Sequence, residues 1–136
     1  MEQNAPFNRV VLIDDEKFDH IAYRRTLVAS GLVEEMVAFQ SALEALEWFR
    51  DAPPPVDVAL LDINMPRMNG FEFLEAAEKL PGFGRTCSSV VMLTTSLDPR
   101  DRERAASHDL VCGFIEKPLR PDHVEYLHGI VDRNVH

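Results

Sequence analysis

Side chains able to do chemistry stand at or directly after the ends of four short apolar runs in the sequence. In chain order they are an acidic pair, a single aspartate, a threonine and a lysine: Asp14, Asp15, Asp62, Thr94 and Lys117. Carboxylates gathered close together repel one another, and a single ammonium does not compensate for three of them. A hard divalent cation is their natural partner, and Mg²⁺ suits a few carboxylates with waters and an incoming phosphate. Because such a cation also neutralises phosphoryl oxygens and lets an anionic aspartate act as a nucleophile, the pattern predicts an aspartate phosphoacceptor in a metal site.

Five apolar runs, rich in β-branched residues, are expected to be the strands that position these side chains. They cover 10–13, 36–39, 56–61, 90–93 and 111–115. Most are apolar without alternation, which indicates burial on both faces and hence a parallel sheet. In doubly wound sheets of this kind, ligands bind outside the carboxyl ends of the strands. The chemistry-bearing side chains are therefore expected to meet at one edge of the sheet.

Helical segments are predicted between and after these strands. The first, over 17–30, places Phe18, Ile21, Ala22 and Val28 near one apolar face. The other four are expected to begin at residues that cap or start helices, which are Ser41, Asn69, Pro99 and Pro121. Five strand-helix units in succession predict an α/β fold, a doubly wound five-stranded parallel sheet with helices on both faces.

Length and charge limit the classes of function. We expect 136 residues to form one domain, 1–136, with a core over about 9–131 and no output domain. The net charge of −9 argues against binding of nucleic acid or of an anionic membrane surface, because both need clustered Lys and Arg. Counting glycine, the longest apolar run is six residues, 110–115, which is too short to span a bilayer. Without a secretion signal, Cys87 and Cys112 are expected to be reduced, which predicts a cytoplasmic protein.

Four motifs occur in one order along the chain, at 11–16 (Val-Leu-Ile-Asp-Asp-Glu), 60–70, 92–96 and 114–118. In type and spacing they resemble the receiver domain of two-component response regulators, and the resemblance runs from about 9 to 131. It implies a flavodoxin-like (βα)5 fold with strand order 2-1-3-4-5. It also implies that Asp62 is the phosphoacceptor, that Mg²⁺ is the cofactor, and that the metal is held by Asp62 with Asp14, Asp15 and the carbonyl of Asn64.

The resemblance assigns further roles around the phosphoacceptor. Thr94 would be the switch hydroxyl, Lys117 the phosphate-binding lysine, and Phe114 the aromatic that rotates on activation. The Lys117–Pro118 peptide is expected to be cis. Three residues bordering the path of water and phosphodonor are expected to tune the rates, namely Asn64, Thr95 and Ser96. A partner surface is expected on the fourth predicted helix, the fifth strand and the fifth helix, carrying Arg100, Arg104 and Arg120.

The function that the resemblance implies is phosphate acceptance in a two-component system or phosphorelay. The phosphodonor would be a phosphohistidine on a sensor histidine kinase or a histidine phosphotransfer protein. The output would be binding of an unidentified protein, with phosphorylation-dependent homodimerisation left open. Apart from its own phosphorylation and dephosphorylation, no enzymatic reaction is expected. The motif Thr94-Thr95-Ser96 also resembles that of single-domain regulators paired with phytochrome-type kinases.

Three alternatives use similar residues or a similar fold. An aspartate-nucleophile phosphohydrolase of the haloacid dehalogenase type needs Asp-x-Asp, but the residue two after Asp62 is Asn64, which cannot transfer a proton. A flavodoxin-like cofactor binder needs a phosphate-binding loop after the first strand, and none follows Ile13. A degenerate receiver used only as a scaffold is disfavoured because the acidic site is intact.

Overall fold

A five-stranded parallel sheet forms the centre of the computed structural model, which describes residues 7–29, 31, 33–95 and 98–135, the last five as backbone only. Its strands are β1 (Phe7–Ile13), β2 (Val33–Phe39), β3 (Val58–Asp62), β4 (Val90–Thr94) and β5 (Val111–Glu116). Their order is β2-β1-β3-β4-β5, with every neighbouring pair parallel. The predicted sheet and strand order are confirmed.

The central strands are buried on both faces, as their continuous apolar sequence predicts. All five residues of β3 and all five of β4 are buried. The third strand begins later than predicted, because Val56 forms only an isolated bridge with Cys87. Asp57, the residue between Val56 and β3, is outside the strand, and its carboxylate accepts hydrogen bonds from the backbone N–H groups of Asn8 and Arg9, at 2.6 and 3.1 Å.

Helices cover both faces of the sheet. They are α1 (Lys17–Ala29), α2 (Ala42–Arg50), α3 (Gly70–Glu78), α4 (Phe83–Thr86), α5 (Pro99–Ala105) and α6 (His123–Val135). Buried side chains of α1 and α6 share one core with β1 and β3, and those of α2, α3, α4 and α5 share the core on the opposite face. In the described ranges, no helix has the length and apolar character that crossing a bilayer requires.

Polar caps define most of the predicted helix starts. The Ser41 and Asn69 side chains accept hydrogen bonds from backbone N–H groups three residues on, at the starts of α2 and α3. Asp98 caps α5, with Pro99 as its first residue. The short helix α4 is not predicted from the sequence, so the fourth and fifth predicted helices are α5 and α6. Helix α6 begins at His123, two residues later than the Pro121 start that the sequence suggests.

The apolar face predicted for α1 lies on the solvent side. Phe18 is 82% exposed and Ile21 is 54% exposed, whereas Tyr23 and Leu27 are buried against the sheet. The helix carries two apolar stripes, and the sheet packs against the one that contains Tyr23 and Leu27 at i and i+4. The prediction for this face is therefore wrong, and α1 exposes an apolar row of side chains.

Candidate functional site

The carboxyl ends of four strands bring the predicted residues to one edge of the sheet. Asp14 follows β1, Asp62 ends β3, Thr94 ends β4 and Lys117 follows β5. Backbone hydrogen bonds continue the sheet beyond these ends: the N–H of Lys117 donates to the Thr94 carbonyl at 2.8 Å, and the N–H of Asp14 donates to the carbonyl of Phe39 at 3.1 Å. The sheet thus fixes the backbone positions from which these functional side chains extend.

Three carboxylates converge at this edge. Asp14, Asp15 and Asp62 each offer an oxygen atom, and these atoms all lie within 4.8 Å of one another. Asp14 is fully buried and Asp62 is 5% exposed, so water does little to screen their repulsion. A set of oxygen donors this close fits a hard divalent cation. The Asn64 backbone N–H donates to Asp62 Oδ1 at 3.2 Å, which holds the Asp62 carboxylate in place.

The Lys117 ammonium lies among carboxylates of three different elements. Its Nζ is 2.7 Å from Asp14 Oδ2, 3.3 Å from Asp62 Oδ2 and 3.0 Å from Asp19 Oδ2. Lys117 is predicted to lie at the same edge as Asp14 and Asp62, but Asp19, in the first turn of α1, is not predicted to join them. The sequence feature that could have identified Asp19 is an acidic residue in the first turn of the helix that follows the Asp14-Asp15 pair.

Burial changes the protonation of these groups. The pKa of Asp62 is raised to about 7, chiefly because burial desolvates the carboxylate; the Asp14 carboxylate adds to this rise, and Lys117 and the Asn64 N–H offset only part of it. Desolvation likewise raises the pKa of Asp14 above its ordinary value. Burial by itself lowers the pKa of Lys117, but its hydrogen bonds to Asp14 and Asp19 outweigh this effect and raise it. The ammonium therefore stays charged at neutral pH, whereas proton and cation compete for the Asp62 carboxylate.

An open cleft gives access to the Asp62 carboxylate. Its lining comprises Asp15, Glu16, Asp19, Tyr23, Asp62, Asn64, Thr95, Lys117 and Pro118. The predicted rate-tuning residues Asn64 and Thr95 thus lie at the site, whereas Ser96 falls outside the described residues. Thr94 is buried at the end of β4. The Lys117–Pro118 peptide is cis, as the resemblance implies.

Phe114 lies on β5 and does not line the cleft around Asp62. Its side chain is partly exposed, and the guanidinium carbon of Arg102 is 5.3 Å from the centre of its ring. A shallow groove beside it is lined by α5 residues and by the β5 residues 111–114. Arg102, which is not among the predicted partner arginines, therefore contacts the predicted switch aromatic.

The three predicted partner arginines have separate surroundings. Arg100 and Arg120 each pair with a nearby aspartate, at 3.0 and 3.6 Å. Arg104 turns instead toward α3, where it pairs with Glu75 at 3.5 Å and lies 4.6 Å above the ring of Phe71. Arg104 therefore contacts α3, whereas Arg102 of the same helix contacts Phe114 of β5.

The site and the fold agree with one family of signalling domains. Residues 10–127 match the family model of the response regulator receiver domain. The chain belongs to this family. It is 28% identical over 134 residues to the sensor histidine kinase CheAY of Helicobacter pylori, covering 98% of this chain and 16% of that protein. It is 32% identical over 114 residues to the two-component response regulator ORR41 of Oryza sativa subsp. japonica, covering 82% of this chain and 84% of that protein.

Solved receiver structures have the same fold. A two-component response regulator from Cytophaga hutchinsonii superposes with a TM-score of 0.84 at 26% identity, covering 94% of this chain and 98% of that chain. The Mn²⁺-bound form of the response regulator Rcp1 superposes with a TM-score of 0.71 at 25% identity, covering 90% of this chain and 91% of that one. Receiver domains bind a divalent metal in an acidic pocket, and the Asp14, Asp15 and Asp62 cluster supplies such a pocket here.

Proposed function

We propose that this receiver accepts a phosphoryl group on Asp62 from a phosphohistidine of a sensor histidine kinase or a histidine phosphotransfer protein, and that Mg²⁺ is its cation. One observation carries the proposal: the Asp62 carboxylate lines an open cleft, clusters with Asp14 and Asp15, and lies 3.3 Å from the Lys117 ammonium. A carboxylate in these surroundings can act as a nucleophile toward phosphorus. The ammonium and a bound cation, which neutralise the carboxylate before the transfer, can neutralise the phosphoryl oxygens during it.

In the proposed transfer, an Asp62 oxygen forms a bond to phosphorus while the bond from phosphorus to the donor imidazole nitrogen breaks. Asn64 holds the nucleophile through its N–H, and Lys117 donates to a phosphoryl oxygen. Asp14, Asp15 and Asp62 would hold Mg²⁺, with the Asn64 carbonyl as a further predicted ligand. The bound cation would offset the charge of these carboxylates and of the phosphoryl oxygens.

The exposed apolar side chains of α1 support a protein, and not only a small molecule, as phosphodonor. Phe18 and Ile21 are largely exposed, and they flank Asp19, which lines the phosphoacceptor cleft. Apolar side chains beside a polar site provide contact area for a partner that must deliver its reactive group there. We propose that a donor bearing the phosphohistidine packs on this row during the transfer.

The proposed output is a change in the surface formed by α5, β5 and α6. A phosphoryl group adds about −1.5 to −2 charge and three acceptor oxygens beside the end of β4. The Thr94 hydroxyl would move to donate to one of them, and the space that it leaves would admit Phe114. An acidic partner would then bind near Arg100, Arg102 and Arg120. Phosphorylation-dependent homodimerisation and the cytoplasmic location stay predictions.

The phosphohydrolase alternative gains no support from the site. Asn64, two residues after Asp62, lines the cleft where that enzyme class needs an acid-base carboxyl group. We therefore propose that the protein turns over no separate phosphomonoester. Sustained hydrolysis of a generic phosphomonoester by pure protein, lost in Asp62→Asn, would favour the enzyme instead.

Beryllofluoride, a mimic of the phosphoryl group, tests the proposal. Calorimetric titration should show one beryllofluoride per chain in Mg²⁺ and none in excess chelator. Asp62→Asn should abolish binding, whereas Asp51→Asn, which alters an exposed aspartate at the end of α2, should leave it unchanged. Binding that persists in Asp62→Asn or in chelator would refute the assignment.

A further inference from the structure

A third carboxylate, from a helix instead of a strand end, pairs with the phosphate-binding lysine. Asp19 Oδ2 lies 3.0 Å from Lys117 Nζ, and its side chain is 27% exposed at the rim of the cleft. An ammonium group has three N–H donors. The Lys117 ammonium donates a hydrogen bond to Asp19, whereas Asp14 and Asp62 are its ion-pair neighbours at 2.7 and 3.3 Å.

We propose that Asp19 is a positioning residue that holds the Lys117 ammonium in the unphosphorylated protein and thereby weakens binding of the phosphoryl group. This inference rests on the proposed function, since it concerns how strongly the phosphoryl group at Asp62 is held. A phosphoryl oxygen needs a donor from Lys117, and Asp19 already accepts one of these donors.

Besides the phosphoacceptor, Lys117 has two carboxylate neighbours, Asp14 and Asp19, and Asp19 is the one that can give up its contact with the ammonium. Asp14 is fully buried, and its Oδ1 also accepts the Glu16 backbone N–H at 2.8 Å. Asp19 is partly exposed, so water can replace Lys117 as its partner. The Asp19 charge also repels the phosphoryl group, because both contact the same ammonium. Competition and repulsion act in the same direction and disfavour the phosphorylated state.

The pair also links the phosphoacceptor cleft to α1. When Lys117 turns from Asp19 to a phosphoryl oxygen, the Asp19 carboxylate loses its cationic partner. This change occurs beside the exposed Phe18, on the surface where we propose that the phosphodonor packs. Phosphorylation would thus leave the Asp19 charge uncompensated beside the surface on which the donor packs.

Paired titrations separate this role from a general effect of charge. The probes are Mg²⁺ alone and beryllofluoride at saturating Mg²⁺, each measured by calorimetry on the full chain. Asp19→Asn should tighten beryllofluoride binding roughly fivefold, the upper range for a partly exposed ion pair. Glu16→Gln removes the same charge from the same cleft, and Glu16 makes no ion pair with Lys117 among the described residues. It should change beryllofluoride binding less than twofold, and Asp19→Glu should restore the wild-type value to within twofold.

Three results would overturn the role of Asp19. They are unchanged or weaker beryllofluoride binding in Asp19→Asn, an equal gain in Glu16→Gln, and a gain in Asp19→Glu as large as that in Asp19→Asn. Failure of the proposed function looks different, because wild-type protein would then bind no beryllofluoride in Mg²⁺, or Asp62→Asn would bind it as well as wild type. That outcome would overturn both proposals.

Discussion

Replacing the phosphoacceptor should make the metal-free protein more stable at neutral and alkaline pH. Asp62 is buried beside Asp14, and desolvation and this neighbour raise its pKa from an ordinary 3.8 to about 7. Asp62→Asn removes the charge and keeps a carbonyl oxygen that can accept the N–H of Asn64. A residue selected for phosphate chemistry is thus expected to oppose folding when no cation is bound.

The pKa values set the size and the pH range of the effect. Because the folded protein binds this proton more tightly than the unfolded chain, wild-type stability falls as pH rises from about 4 to about 7. The loss of folding stability caused by the charged Asp62 is absent below about pH 4 and complete above about pH 7. The full difference between the two pKa values corresponds to about 4 kcal/mol, which is an upper value for the gain in Asp62→Asn at pH 8. A gain of about 2 to 4 kcal/mol is expected there, and a smaller one at pH 5.

Urea unfolding at both pH values, in excess chelator and again in Mg²⁺, measures this difference. Mg²⁺ should stabilise wild type and not Asp62→Asn, so the gain should shrink when the cation is added. Asp51→Asn, at an exposed position, should stay within about 0.5 kcal/mol of wild type. The reasoning is refuted if Asp62→Asn is no more stable than wild type at pH 8 in chelator, or if its gain is the same at pH 5.

Three further substitutions test the surroundings of the phosphoacceptor. Thr95→Ala should speed phosphorylation by a small acyl phosphate, because the branched side chain lines the cleft; an unchanged or slower rate in stopped-flow measurements would contradict this. Thr94→Ala should still bind beryllofluoride but show a weaker change in amide exchange over 98–120, and a response equal to wild type would rule out the coupling. Gly70→Ala should lower the free energy of unfolding by about 1 to 3 kcal/mol, because its Cβ would lie 2.6 Å from the backbone oxygen of Asp62; unchanged stability in urea would show that the backbone adjusts freely.

The strand-end residues are predictable because a continuous apolar run shows where a buried strand ends. Parallel topology then brings those ends to one edge, so Asp14, Asp62 and Lys117 can be placed together without any contact information. Asp19 does not follow from this logic. An acidic residue in the first turn of a helix is common on solvated surfaces, and only the rotation of α1 turns its carboxylate toward Lys117.

That same rotation explains why the predicted face of α1 is wrong. Tyr23 with Leu27, and Phe18 with Ile21, form two apolar stripes on one helix, and the sequence does not say which of them the sheet covers. The short helix α4 is missed for another reason. Its four residues are too few to show a helical period, and it begins after Gly82, whose φ of 79° sets the turn.

The most direct test of the central claim is to identify the modified residue after phosphotransfer. The chain should be incubated with an acyl phosphate, or with a phosphorylated histidine kinase, in Mg²⁺, and then analysed by intact mass and peptide mapping. We predict a single phosphoryl group on Asp62 that neutral hydroxylamine releases, as expected of an acyl phosphate, and no modification in excess chelator or in Asp62→Asn. A hydroxylamine-resistant phosphate on serine or threonine, or labelling that persists in Asp62→Asn, would contradict the account.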